Sequence, residues 1–328
     1  LSLHDALPIY KNFAGAVESS ASVGGQILPP IMGASAFIMA ETTGINYGTI
    51  ALAALIPAVL YYFAVIMQVH YRAGKRNLQG IPRADLPKVK AVMLERGHLL
   101  IPIIGLIVML YMNFPIPRAA IYTLLLTVVI ATMRKTTRMS VKEIFEAMAV
   151  GAQQALSVMI ACAVVGIIIG VVSLTSFGAV MTSAIASLGA GSLFLTLFFT
   201  MIASMILGMG LPSIPAYIIT ATMAAPALAE FGIPILLAHM FVFYFGIFAN
   251  VTPPVALAAF AGAGVSGGNP MTTGFQALKL SIAGFLIPFL FIYEPALLLV
   301  DTEGLMTNAR EYPLAGFMDV AIVVATTL

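Results

Sequence analysis

The sequence predicts an all-α polytopic membrane protein. Three observations carry that expectation. Of 328 residues, 61% are hydrophobic and only 9% are charged, a composition from which no soluble surface can be built. Between Ala147 and Tyr293 the only charged side chains are Glu230 and Lys279. The apolar residues also come in continuous runs rather than in alternation, so bundled helices, not a barrel, must satisfy the backbone in hydrocarbon. The single cysteine, Cys162, excludes a disulfide framework and reads as a packing residue. Trp is absent, which leaves tyrosines, arginines and lysines to anchor the interfaces.

Taken in order, Leu1–Ile9 reads as a translated sequencing adapter and is set aside as non-native. Residues 10–69 hold a first discontinuous segment, Gly24-Gly25-Gln26-Ile27-Leu28-Pro29-Pro30, a polar turn at Thr42–Gly48, and a span over Thr49–Val69 with Pro57 inside it. Residues 70–146 begin with a loop over His70–Arg96, where Arg72, Lys75, Arg76, Arg83, Lys88, Lys90 and Arg96 outnumber Asp85 and Glu95. Basic loops stay in the cytoplasm, and nothing in the run points to nucleic acid. A hairpin follows, Leu99–Asn113 and Ala119–Met133 joined by Phe114–Arg118, returning to basic residues Arg134, Lys135 and Arg138. Cysteines placed at Gln79 and Thr136 are accordingly expected to resist labelling from outside. Ser140–Gln154 reads as an amphipathic interfacial helix, running into a span over Leu156–Leu174 whose Gly166 and Gly170 suit close helix packing.

Residues 147–300 hold two further interruptions. Thr175–Gly191 reads as an outer loop or a re-entrant tip. Leu193–Leu207 runs into Gly208-Met209-Gly210-Leu211-Pro212-Ser213-Ile214-Pro215-Ala216-Tyr217, where two glycines and two prolines stop a helix. Ile235–Ala249 then runs into Asn250-Val251-Thr252-Pro253-Pro254, which no continuous helix can cross, because neither proline donates an amide and each ring crowds the preceding turn. Residues 301–328 read as the start of a further, truncated C-terminal region.

The prolyl pairs recur in matching order. Each is followed by small residues, then a Gly/Asn turn, then a span with an internal proline and aromatics (Pro57 with Tyr61-Tyr62-Phe63; Pro288 with Phe289-Leu290-Phe291). Two copies of an interrupted segment in two halves are the sequence sign of an inverted-repeat secondary transporter with broken or re-entrant helices, its site at the breaks. Freed amides there attract carboxylates and freed carbonyls attract sodium. Ser22, Gly24, Gly25, Gln26, Pro29 and Pro30 are the candidates in the first copy. Gly208, Gly210, Pro212, Ser213 and Tyr217 are those of the middle cluster, and Asn250, Thr252, Pro253 and Pro254 those of the last. Uncharged oxygens at Asn250 and Thr252 fit a weakly held sodium ion, with a second site expected at Gly25–Pro30. No cofactor beyond that coupling ion is expected.

No enzyme motif is present: no His-Glu-x-x-His, no nucleophile elbow, no Walker loop. His239 reads as a hydrogen-bonded core residue, and Glu41 as a solvated turn carboxylate, with a proton or cation site as its other reading.

The stretches Ala14–Glu41 (AGAVESSASVGGQILPPIMGASAFIMAE), Gly208–Ile218 (GMGLPSIPAYI), Ala225–Gly264 and Ile287–Leu298 (IPFLFIYEPALL) resemble the large membrane subunit of tripartite ATP-independent periplasmic (TRAP) transporters, especially fused permeases of the TAXI branch. The resemblance covers nearly all of Tyr10–Asp301. It implies sodium-driven import of an organic acid (carboxylate), delivered by an extracytoplasmic solute-binding protein, through elevator-type movement. It also implies a small membrane subunit, fused upstream or separate, and a multi-pass place in a bacterial or archaeal inner membrane. A binding-protein-independent sodium–anion symporter and a non-transporting scaffold are the other readings.

Overall fold

The computed structural model describes residues 11–75, 89–112, 114–134 and 137–299, and among these there are helices, turns and no strand. The expected non-native start, the labelling positions Gln79 and Thr136, and the region from 301 onward lie outside the described residues. Fifteen helices carry the fold among the described residues. They are α1 (Lys11–Gly24), α2 (Ala34–Thr43), α3 (Tyr47–Lys75), α4 (Val89–Arg96), α5 (Ile101–Tyr111), α6 (Ile116–Thr132), α7 (Val141–Leu174), α8 (Phe177–Gly189), α9 (Leu193–Gly208), α10 (Ser213–Met223), α11 (Ala225–Ala229), α12 (Ile235–Phe248), α13 (Leu257–Ser266), α14 (Pro270–Leu280) and α15 (Ile282–Tyr293). Four stretches, Tyr47–Lys75, Val89–Tyr111, Val141–Leu174 and Pro270–Tyr293, are long and apolar enough to cross a membrane. The protein is a multi-pass membrane protein.

Several sequence expectations are corrected. The basic segment is not a loop throughout: α3 continues to Lys75 and α4 begins at Val89, because Lys, Arg and Glu are good helix formers whose charged ends extend into the interface. Joined to α5 through a 3-10 turn at Gly97–Leu100, α4 makes Val89–Tyr111 one span. The amphipathic segment and the span after it are a single helix, α7, of 34 residues. Its start is fixed by a capping box: Ser140 Oγ accepts from the Glu143 amide at 3.2 Å, and the Ser140 amide donates to Glu143 Oε2 at 2.6 Å. Thr175–Gly191 is not a loop but mostly α8, since Val180, Met181, Ile185 and Leu188 recur at helical spacing. Gly166 and Gly170 have open space where a Cβ would stand, so no described helix packs on them.

The two broken segments match helix for helix, although the long α3 that follows the first is divided into α14 and α15 after the second. Helices α1 and α12 each have 14 residues, and α2 and α13 each have 10. Laying Lys11 on Ile235 puts Gln26 on Asn250, Pro29-Pro30 on Pro253-Pro254, and Met32 on Ala256. Both prolyl peptide bonds are cis, and Met32 and Ala256 both have positive φ, 54° and 29°. Matching hydrogen bonds close the two turns, Met32 N to Leu28 O and Ala256 N to Thr252 O, each 3.2 Å. Helices α2 and α13 both end in a left-handed glycine, Gly44 (φ 72°) and Gly267 (φ 68°), which only a residue without a Cβ adopts freely.

The matched segments pack antiparallel. The start of α1 lies at the end of α13, where the Asn269 amide donates to Asn12 Oδ1 at 2.6 Å. Nearby the helices meet glycine to glycine: a Cβ on Gly15 would stand 2.8 Å from the Gly262 carbonyl oxygen. The end of α2 lies by the second turn of α12. Helix α12 is apolar all round and correspondingly buried all round. Its Phe241, Phe243, Tyr244, Phe245 and Phe248 are fully enclosed, with Phe248 against Tyr61 at 5.2 Å between ring centroids. Helices α6 and α7 instead present leucines, isoleucines and valines outward, the face a bilayer covers. With lipid as apolar as leucine, it is close packing and internal hydrogen bonds, not apolar burial, that hold such a bundle together.

Candidate functional site

The last break starts where α12 tightens into a 3-10 turn, Ala249–Val251. Thr252 is extended, and its amide reaches only Ala249 O, at 3.2 Å. Four residues on from Asn250 stands Pro254, which has no amide hydrogen to offer the Asn250 carbonyl. Asn250 and Thr252 are each 8% exposed. The Thr252 hydroxyl donates to Phe248 O at 2.8 Å. A hydroxyl that ligates a cation must send its proton elsewhere, and Phe248 O takes it, which leaves the Thr252 oxygen lone pairs for a ligand.

The first break is built alike but satisfied differently. Gln26 Oε1 and Ser35 Oγ are buried with no hydrogen-bond partner. Gly33 separates them: a Cβ there would lie 3.2 Å from Gln26 Cβ and 3.4 Å from Ser35 Oγ. In contrast, the carbonyls of Pro30 and Ile31 are taken by the Tyr47 hydroxyl, at 2.9 and 2.7 Å. Those of Ser20 and Ala21, at the end of α1, accept from Tyr61 and Tyr62 at 2.8 and 2.7 Å. Gln26 Oε1 and Ser35 Oγ are therefore the open side-chain oxygens of this break, while four of its backbone carbonyls are held by tyrosine hydroxyls. Replacing Tyr47 with Phe strands two carbonyls, and the expected result is a loss of about 1–3 kcal/mol of stability, read as a lowered melting temperature. An unchanged melting temperature would show that those carbonyls pair elsewhere.

The middle break joins the last one. Gly208 ends α9 against Gly246 of α12; a Cβ on Gly208 would stand 3.0 Å from both the Gly246 Cα and its carbonyl oxygen. Gly210, at φ 76°, faces Val255. Pro212 caps α10 and Ser213 is its first residue. Tyr217, in the second turn of α10, is 1% exposed, and its hydroxyl meets His239 Nδ1 at 2.7 Å and Thr42 Oγ1 at 3.1 Å.

Most sequence candidates are thus gathered along the crossing of the broken segments. Ser22 is not: it is exposed and bonds Glu18 at 3.3 Å. Gly24 serves packing, since a side chain there would enter the Tyr61 ring. Sequence reasoning missed Ser35 and Tyr47. Their only signal is a hydroxyl a few residues beyond a prolyl pair, too common to single out. Glu41 lies in the last turn of α2, not in the loop after it, at a cavity of about 260 Å³ that Tyr47, Phe114 and Pro115 also line.

Comparison with known proteins agrees with this architecture. The family model for the tripartite ATP-independent periplasmic transporter, DctM component, matches residues 9–305. No curated protein matches the chain. A helical membrane protein with repeated prolyl breaks, matched by that family model over residues 9–305, this chain belongs to the DctM component family of tripartite ATP-independent periplasmic transporters.

Proposed function

We propose that the chain is the membrane permease subunit of a sodium-coupled secondary transporter that imports an organic acid (a carboxylate). An extracytoplasmic solute-binding protein delivers the substrate, and a small membrane subunit completes the assembly. The single supporting observation is the meeting of helix ends at buried oxygen atoms without a formal charge: Asn250 and Thr252 at one break, Gln26 and Ser35 at the other. Such ligands hold a hard monovalent cation loosely enough for release in each cycle. Helix N-termini after the breaks, at Ala34, Ser213 and Leu257, present amides to a carboxylate without a buried cation, which would be costly at that depth.

Uptake by the full-length protein in vesicles, with and without an inward sodium gradient and with and without the purified binding protein, tests this reading. Uptake should need both. Uptake without the binding protein would favour a stand-alone sodium–anion symporter, and no uptake under any gradient would favour a scaffold.

The orientation has its own test in a bacterial or archaeal inner membrane. After Cys162 is replaced by Ser, single cysteines at Lys75 and Arg138 should resist a membrane-impermeant maleimide in intact cells. Cysteines at Glu41 and Pro115 should react. Ready labelling at Lys75 would reverse the topology.

A further inference from the structure

One hydroxyl touches the arms that lead to all three breaks. Thr42 is near the end of α2, which starts just after the first break. Tyr217 is in the second turn of α10, which starts just after the middle break. His239 is in the second turn of α12, which ends at the last one. The Tyr217 hydroxyl bonds both of the others, at 3.1 and 2.7 Å.

At its other end the antiparallel crossing of the two segments is a backbone contact, Gly15 on Gly262. By the correspondence that lays Gln26 on Asn250, Gly15 falls on His239 and Ser266 on Thr42. One end of the crossing is therefore closed by glycines in van der Waals contact, while the equivalent end is spaced by a tyrosine and closed by hydrogen bonds.

We infer that His239 is a positioning residue that, through Tyr217 and Thr42, holds the three broken segments in one register and so sets the geometry of the ion site. The lever is short. His239 precedes Gly246 by seven residues, about 10 Å along the helix, so the node holds α10 and the Gly208–Gly246 contact holds α9 against the same helix, one on each side of the middle break. The chain closes with either histidine tautomer. Thr42 also bonds Ile38 O at 2.9 Å, so Tyr217 can donate to His239 and accept from Thr42, or the reverse. A proton on His239 does not open it.

This inference rests on the ion-site reading of the breaks, and two readouts in the full-length protein separate them. The first is the sodium concentration for half-maximal uptake. His239→Leu and Tyr217→Phe should each raise it roughly 3- to 20-fold, the range for one interhelical hydrogen bond in a membrane. The double variant should add little to either. His239→Asn, whose amide stands where Nδ1 stood, should restore most of the loss. The second needs no sodium: the rate at which Ser35→Cys, at the far end of α2, reacts with a small thiol reagent once Cys162 is Ser. His239→Leu should raise that rate by a similar factor and His239→Asn should not. A labelling rate indifferent to His239→Leu overturns the inference, as do single-variant effects that simply multiply. Wild-type uptake indifferent to sodium overturns the ion-site reading instead, and the labelling result then decides the node alone.

Discussion

Gly208→Ala is expected to abolish most uptake, while Gly246→Ala, a change in the residue it touches, leaves uptake close to normal. The two glycines are in contact, yet their surroundings differ. A Cβ on Gly208 would press on the Gly246 Cα and carbonyl oxygen, both at 3.0 Å and both backbone atoms. A Cβ on Gly246 would instead find Thr220 Oγ1 at 3.5 Å and Ala216 O at 3.7 Å, ordinary van der Waals distances. Overpacking of the first kind costs about 1–3 kcal/mol, and expressed in the ion-binding geometry that is roughly 5- to 150-fold. Uptake per unit of protein in the membrane is the quantity to compare. Equal losses in both variants would place the sensitivity in the helix crossing as a whole and not in the seat of the middle break. Gly210→Val makes a poorer test. At φ 76° a β-branched residue is strained whatever its neighbours do.

The second large effect is expected at Thr252. Thr252→Val keeps the side-chain shape and removes the oxygen, so the sodium concentration for half-maximal uptake should rise. Loss of one buried polar interaction is worth about 1–3 kcal/mol, a shift of roughly 5- to 150-fold. Substrate affinity at saturating sodium should move much less. Thr252→Ser retains the hydroxyl and should stay near wild type. A Thr252→Val protein that folds normally and keeps its sodium dependence would remove this side chain from the site. The Asn250 carbonyl, which faces a residue without an amide hydrogen, would then be the main oxygen left at that break.

The sequence by itself determined the class, the interruptions and their pairing. Membrane helices are legible because hydrocarbon tolerates almost no charge, and breaks are legible because proline lacks an amide hydrogen whatever surrounds it. The repeat of prolyl pair, small residues, turn and span therefore marks Asn250–Pro254 and Gly24–Pro30 from the sequence alone. Local pattern was weaker where composition and periodicity disagreed. The glycines and serines of Thr175–Gly191 concealed a helix, and the charges beyond His70 concealed helix ends that reach past the apolar core.

Tertiary structure decided which oxygens stay open. Pro30 and Ile31 look as free as any carbonyls beside a proline, but Tyr47 arrives from the next helix and takes both. Gln26 and Ser35, nine positions apart, are left without partners. Ser22 had every property of a site residue and turned outward to Glu18. His239 read as an ordinary core histidine until Thr42 and Tyr217, from two other helices, were beside it. Hydrogen bonds between residues far apart in the chain leave no local periodicity or composition behind, so only the packed helices reveal which polar atoms are satisfied and which await a ligand.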